Sequence, residues 1–283
     1  MLVDGMKNES LSLLTIGSPA SRDLALWDVE HSRLKFSLRI DHSVNFAIVS
    51  STHKAVFCGG ADTGVILTVS LTSGSLQQTF VAEEYSGMMD LTIAVDLIFV
   101  ATPASGVVVI SVTQNVVTGH LRDPKSSLVP TKLLVSSRND TQLIVGYKHG
   151  HIHIFDVNTE AVIRSLSGHS GQINSLHLLP SGQLISSGDD QRGIIWNHEL
   201  CGSQESGNDP PGMSEMWTKS KLKVSETSEV FFGDPSESLV NYRANCYTVD
   251  STQHLLYAGF SCGIIQVFSL ETGEFLCDSE KGS

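Results

Sequence analysis

Short apolar runs alternate with short polar breaks along nearly the whole chain, and the stretch from Ser167 to Asn197 shows the unit most clearly. Ile173 to Leu179 reads as one strand, and Pro180-Ser181-Gly182 breaks it, because proline lacks an amide hydrogen and glycine accepts positive φ. Gln183 to Ser187 is a second strand, Gly188 to Gln191 a tight polar turn, and Gly193 to Trp196 a third strand. A sheet this small cannot bury two faces by itself, so copies of it must stack alongside.

With the Trp196 strand as a ruler, the copies are found at Leu26-Trp27-Asp28-Val29, Thr68-Val69-Ser70-Leu71, Val109-Ile110-Ser111-Val112, Ile154-Phe155-Asp156-Val157 and Val267-Phe268-Ser269-Leu270. The anchors lie 42, 41, 45, 41 and 72 residues apart. A turn precedes each anchor and another apolar run precedes most of those turns, and a second turn with a more polar strand, such as Leu76 to Phe80 or Ala161 to Leu166, usually follows. Inner strands buried on both faces and a half-exposed outer strand would give this gradient. A period of about 40–45 residues with four strands per period is that of propeller blades. The fold expected is all-β, a β-propeller of four-stranded antiparallel blades with six visible repeats and hence six or seven blades.

The chain resembles the WD-repeat β-propeller family. Gly168-His169 and Trp196-Asn197, separated by 26 residues, match that family's Gly-His to Trp-Asp framing, with Asn in place of the final Asp. In the family a His, a Ser or Thr, an Asp and the Trp form a buried hydrogen-bonded chain. The resemblance implies that His169, Ser187 (or Ser186), Asp190 and Trp196 play those parts. The turn positions equivalent to Asp190 hold Ser21, Thr63, Ala104, His149 and Cys262, so the other repeats lean on apolar packing. The resemblance also implies that partners dock on the face carrying the turns before the anchors, here Arg22, Asp62, Lys148, His149, Asp189, Gln191 and Arg192.

The whole of residues 1–283 reads as one such domain. The last interval is about 30 residues too long, and Gly-, Ser- and Pro-rich residues 201–215 read as a flexible insertion. Trp217 to Val224 is a candidate for the displaced outer strand. Only ten residues precede the first clear apolar run, so the innermost strand of the first repeat comes either from them or from a longer protein of which this is a piece.

Composition narrows the function. Against 30 acidic residues there are 18 basic ones, for a net charge of −12, which does not suit a phosphate backbone. Five cysteines without a C-x-x-C pair suit reduced thiols and an intracellular, cytoplasmic or nuclear, setting. The longest apolar segment, Leu91 to Val112, contains Asp96 and a Pro103-Ala104-Ser105-Gly106 turn, so it reads as two buried strands around a hairpin rather than a membrane span.

Catalytic signatures do not assemble. Gly259-Phe260-Ser261-Cys262-Gly263 fits G-x-S-x-G, but that chemistry needs a helix after the serine and a later histidine, and no histidine follows Ser261. Asp62-Thr63-Gly64 copies the aspartic-protease triplet only once. His149, His151 and His153 alternate as if along one strand face, without a carboxylate to complete a metal set. The expectation is a non-catalytic scaffold or adaptor that binds proteins or peptides, with no cofactor, metal, nucleic acid or membrane insertion. The alternatives are a sensor propeller within a larger multidomain protein and, behind it, a serine hydrolase using Ser261. Acidic character favours partner surfaces of basic character.

Overall fold

A computed structural model describes residues 2–3, 12–16, 23–60, 64–81, 85–122, 128–136, 141–179, 182–190, 193–200, 215–221, 244–250, 254–260, 265–269 and 275–278. The chain divides into two compact units, Met1–Lys125 and Ser126–Ser283. Among the described residues each unit holds three four-stranded antiparallel sheets.

In the first unit, the first sheet contains β1 (Leu2–Val3), β2 (Ser12–Ile16), β3 (Asp23–Asp28) and β4 (Arg33–Arg39). The second contains β5 (Phe46–Ser50), β6 (Ala55–Gly59), β7 (Val65–Ser70) and β8 (Leu76–Val81). The third contains β9 (Asp90–Ala94), β10 (Leu97–Thr102), β11 (Gly106–Ser111) and β12 (Val116–Leu121). β1 pairs Leu2 with Leu13, so residues ahead of the first clear apolar run supply the first strand. The segment Leu91 to Val112 forms parts of three strands rather than two, because a tight turn at Val95-Asp96 splits its first half. Asp96 drives that split: its carboxylate accepts hydrogen bonds from Ser111 Oγ at 2.9 Å and Thr113 Oγ1 at 2.8 Å, which fix it at the sheet's end.

Strand alternation sets the packing of this unit. On β6, Val56 and Cys58 join Leu14, Leu24 and Leu26 of the first sheet in one core. Ala55 and Phe57 face the other way and meet Ile98, Val100, Val108 and Ile110 of the third sheet. β6, β7 and most of β10 and β11 are buried along their length, whereas β4, β8 and β12 are largely exposed.

In the second unit, the fourth sheet contains β13 (Pro130–Val135), β14 (Gln142–Tyr147), β15 (His151–Asp156) and β16 (Ala161–Ser167). The fifth contains β17 (Ile173–Leu178), β18 (Leu184–Gly188), β19 (Gly193–Leu200) and β20 (Glu215–Lys221). The sixth contains β21 (Ala244–Asp250), β22 (Leu255–Phe260), β23 (Ile265–Ser269) and β24 (Phe275–Asp278). β20 is the displaced outer strand, paired to β19 from Ile194↔Lys221 to Leu200↔Glu215. The expected insertion, but for Glu215 itself, lies outside the described residues. Ile144, Ile152 and Ile154 of the fourth sheet pack on Ile173, Leu184, Ile194 and Trp196 of the fifth. A Cβ at Gly146 would run into Ile173, so glycine sets how closely these sheets approach. Thr131 Oγ1, buried at that seam, donates to the carbonyls of Ile173 at 2.8 Å and Gly146 at 3.1 Å.

A second regularity runs through the turns. Asp28, Ser50, Ser70, Thr102, Ser111 and Asp156 each end a strand and accept a backbone N–H from two or three residues on. Four residues after each of them comes a left-handed residue: Ser32, Lys54, Gly74, Gly106, Asn115 and Glu160, with φ between 49° and 74°. The side-chain oxygen starts the turn, and the positive φ returns the chain to the next strand.

Candidate functional site

The fifth sheet gathers the polar residues that the sequence singles out. Trp196 is on β19 opposite Leu184 of β18, and Ile194 is opposite Ser186, so Ser186 shares the face of Trp196. His169 arrives from the loop between β16 and β17. Trp196 Nε1 donates to Ser186 Oγ at 2.8 Å, and Ser186 Oγ lies 2.8 Å from His169 Nε2. His169 Nδ1 lies 2.9 Å from Asp190 Oδ1. An indole N–H only donates and a carboxylate only accepts. The hydrogen bonds therefore run in one direction: indole to hydroxyl, hydroxyl to Nε2, and Nδ1–H to Asp190, with His169 in its Nδ1–H form. Asp190 Oδ2 also accepts the Ser170 amide at 2.9 Å, which ties the loop to the turn.

Ser187 is not part of this chain, which corrects one of the four expected positions. It alternates to the opposite face of β18, is 1% exposed, and its hydroxyl has no hydrogen-bond partner. Ser186 takes its place.

Next to this chain lies a continuous polar rim. A Cβ at Gly150 would strike the carbonyls of His169 and Gly171, so the β14–β15 turn rests directly on the 168–172 loop. That loop in turn accepts the Asp189 amide at the Gln172 carbonyl, 2.8 Å away, and Asn174 Nδ2 donates to Asp189 Oδ1 at 2.9 Å. Lys148 and His149 stand exposed on one side of the loop and Asp189 is half-buried on the other. Of the residues expected on a partner face, the structure thus brings Lys148, His149 and Asp189 onto one rim. Arg22, Asp62, Gln191 and Arg192 lie outside the described residues.

The alternating histidines do not converge. His149 is exposed, whereas His153 is buried with its ring 4.9 Å from that of Tyr147. Among the described residues no three His, Cys, Asp or Glu side chains gather as metal ligands. Ser261 lies outside the described residues, and the element after it is the strand β23, not the helix that a nucleophile elbow requires. No helix among the described residues is long and apolar enough to cross a membrane.

Two features escaped the sequence reading. The strand-ending Asp and Ser residues are caps, and their repetition at Asp28, Ser70, Ser111 and Asp156 was the available signal. The other joins the second and third sheets. Ser50 Oγ is 3.0 Å from His53 Nδ1, and His53 Nε2 is 3.8 Å from Asp96 Oδ1. Desolvation pushes the Asp96 carboxyl up, but hydrogen bonds from the Thr113 hydroxyl, the Ser111 hydroxyl and the Thr113 amide, together with nearby His53, outweigh it and hold the group below its ordinary value.

Repeated four-stranded antiparallel sheets with a Trp–Ser–His–Asp chain define a class, the WD-type β-propellers. Comparison with known proteins agrees. Residues 160–197 match the family described as WD domain, G-beta repeat. A crystal structure of the Myceliophteria thermophila Cps50 (Swd1) beta-propeller domain superposes with a TM-score of 0.72 at 14% identity, covering 100% of this chain and 90% of that one. The computationally designed Ika8 protein gives a TM-score of 0.63 at 16% identity, covering 98% of this chain and 73% of that one. No curated protein matches by sequence. The chain has the fold of the WD-repeat β-propellers, and residues 160–197, from β16 to β19, match a WD repeat.

Proposed function

We propose that this chain is a non-catalytic scaffold or adaptor that docks a partner protein on the rim formed by Lys148, His149, the 168–172 loop and Asp189. The observation that carries this reading is the way the rim is built. Its loop is fixed from below by the His169–Asp190 pair and from the sides by Gly150 and Asp189, while Lys148 and His149 project outward. A loop already held rigid has little backbone entropy to lose when a partner binds. Fold alone does not assign a function, but protein recognition is the common use of WD propellers. We place the protein inside the cell, a setting in which free thiols such as those of Cys58 and Cys277 persist.

The test is affinity purification with mass spectrometry, comparing the wild type with Lys148→Glu/His149→Ala. Both side chains are exposed, so thermal stability should stay the same. A specific set of co-purifying proteins should be lost from the variant. An identical set from both would refute the rim as the docking surface.

A further inference from the structure

A second surface lies in the first unit, where β4 meets the turn between β7 and β8. There a pocket of about 350 Å³ is walled by Arg33, Lys35, Phe36, Leu71 and Thr72. Small-ligand and side-chain sites start near this size, at roughly 300 Å³.

The placement of its two cations follows from register. Trp27 pairs with Leu34 and Leu26 with Phe36, so Lys35 is the extra residue of a β-bulge. Such a residue breaks strict alternation and re-aims a side chain. Lys35 Nζ consequently reaches Ser12 Oγ at 2.8 Å, in the cross-strand row Ser12, Asp28 and Arg33. Arg33 donates through Nε to Asp28 Oδ2 at 3.1 Å, and its two terminal nitrogens make no hydrogen bond among the described residues. Asp28 is fully buried and Arg33 and Lys35 are both exposed. Among the described residues the pocket lining carries two cations, Arg33 and Lys35, and no acidic side chain, so a carboxylate complements it.

The opposite wall is preformed. Ser70 Oγ accepts the amides of Thr72 and Ser73, each at 3.2 Å, and Gly74 lies against Phe36 so closely that a Cβ there would collide with the ring. Leu34 adds an apolar lip that is 47% exposed. The surroundings sharpen the contrast: β4 carries Arg33, Lys35 and Arg39 in a chain of net charge −12, while the outer strand β8 has no charged residue.

We infer that this pocket docks an extended acidic segment of a partner protein, with one Asp or Glu carboxylate held between Arg33 and Lys35 and an apolar neighbour on Leu34. It stands independently of the rim reading. Charged residues on an edge strand can also serve only to block strand addition, and the experiment separates the two.

A fluorescein-labelled peptide, Glu-Leu-Glu-Leu-Glu, is titrated with the full chain by fluorescence anisotropy, beside the same peptide with Gln for Glu. Lys35→Glu is the diagnostic variant, because it leaves the Asp28–Arg33 pair in place. Lys35→Gln is a second variant, and circular dichroism melts check that both are folded. The Glu peptide should saturate, with the Gln peptide and Lys35→Glu each weakening binding roughly fivefold or more. Lys148→Glu/His149→Ala should leave it unchanged. Absence of saturable binding, equal binding of the two peptides, or wild-type affinity in both folded Lys35 variants would overturn the inference.

Discussion

Ser186→Ala and Ser187→Ala delete the same atom from neighbouring positions of β18, both 1% exposed, and should have opposite consequences. At 186 the hydroxyl accepts from the Trp196 indole and donates to His169. Its loss strands an N–H of a residue 3% exposed and a ring nitrogen of one 8% exposed. Each buried group left unpaired costs about 1–3 kcal/mol, so the variant should lose roughly 3 kcal/mol. At about 2–3 °C per kcal/mol for a chain of this length, the melting temperature should fall by about 6–9 °C. At 187 the hydroxyl has no partner to lose. Removing it relieves a desolvation cost and opens only a small void, so stability should change by less than about 0.5 kcal/mol or rise. Urea denaturation followed by far-UV circular dichroism measures both. Trp196→Phe supplies a cycle: once the indole N–H is gone, Ser186→Ala should cost about 1–2 kcal/mol less than in the wild type. If Ser187→Ala destabilises as much as Ser186→Ala, or the cycle shows no coupling, the polar chain does not hold this sheet together.

Two further outcomes follow from the turns and from titration. Val95 is a β-branched residue at φ 48° and is 64% exposed, so Val95→Gly should stabilise the fold by about 1 kcal/mol, read as a higher urea midpoint, and no gain would contradict the left-handed turn. Burial lowers the pKa of His177 from its ordinary 6.5, so the unfolded chain binds the proton first. Its stabilising contribution is full above about pH 7 and lost as the pH falls below 6.5 toward the folded value, and His177→Gln should flatten the urea midpoint between pH 7 and 5.

The strand rhythm was legible because burial writes itself as hydrophobicity. Strands buried on both faces, such as Val65–Ser70 and Gly106–Ser111, are nearly continuous apolar runs. The Trp196 chain was legible through its residue types but not its geometry. Choosing Ser186 over Ser187 requires the hairpin register, and that depends on the length of the turn between β18 and β19, which composition does not set. Val95 was unreadable for another reason. Intrinsic preference argues against a left-handed valine, and Ser111 and Thr113, outside the turn, impose it by their hydrogen bonds to Asp96. The pocket beside β4 was hidden because a bulge, not alternation, decides where Lys35 points. Asp28 looked like the end of a Trp-Asp pair, yet Trp27 is 38% exposed and donates to Thr15, so that pair does not repeat the role of Trp196.

The direction of the Trp196–Ser186–His169–Asp190 chain has a spectroscopic consequence. Its far end, through the Asp190 carboxylate, holds the Ser170 amide on the rim, while its near end is an indole 3% exposed in the sheet interior. Emission from a buried indole depends on its hydrogen bond and local polarity, so a disturbance that pulls His169 out of line should change the spectrum of Trp196. With Trp27 and Trp217 replaced by Phe, the protein would carry one tryptophan, coupled to its own rim, and unlabelled partners could be titrated against it directly.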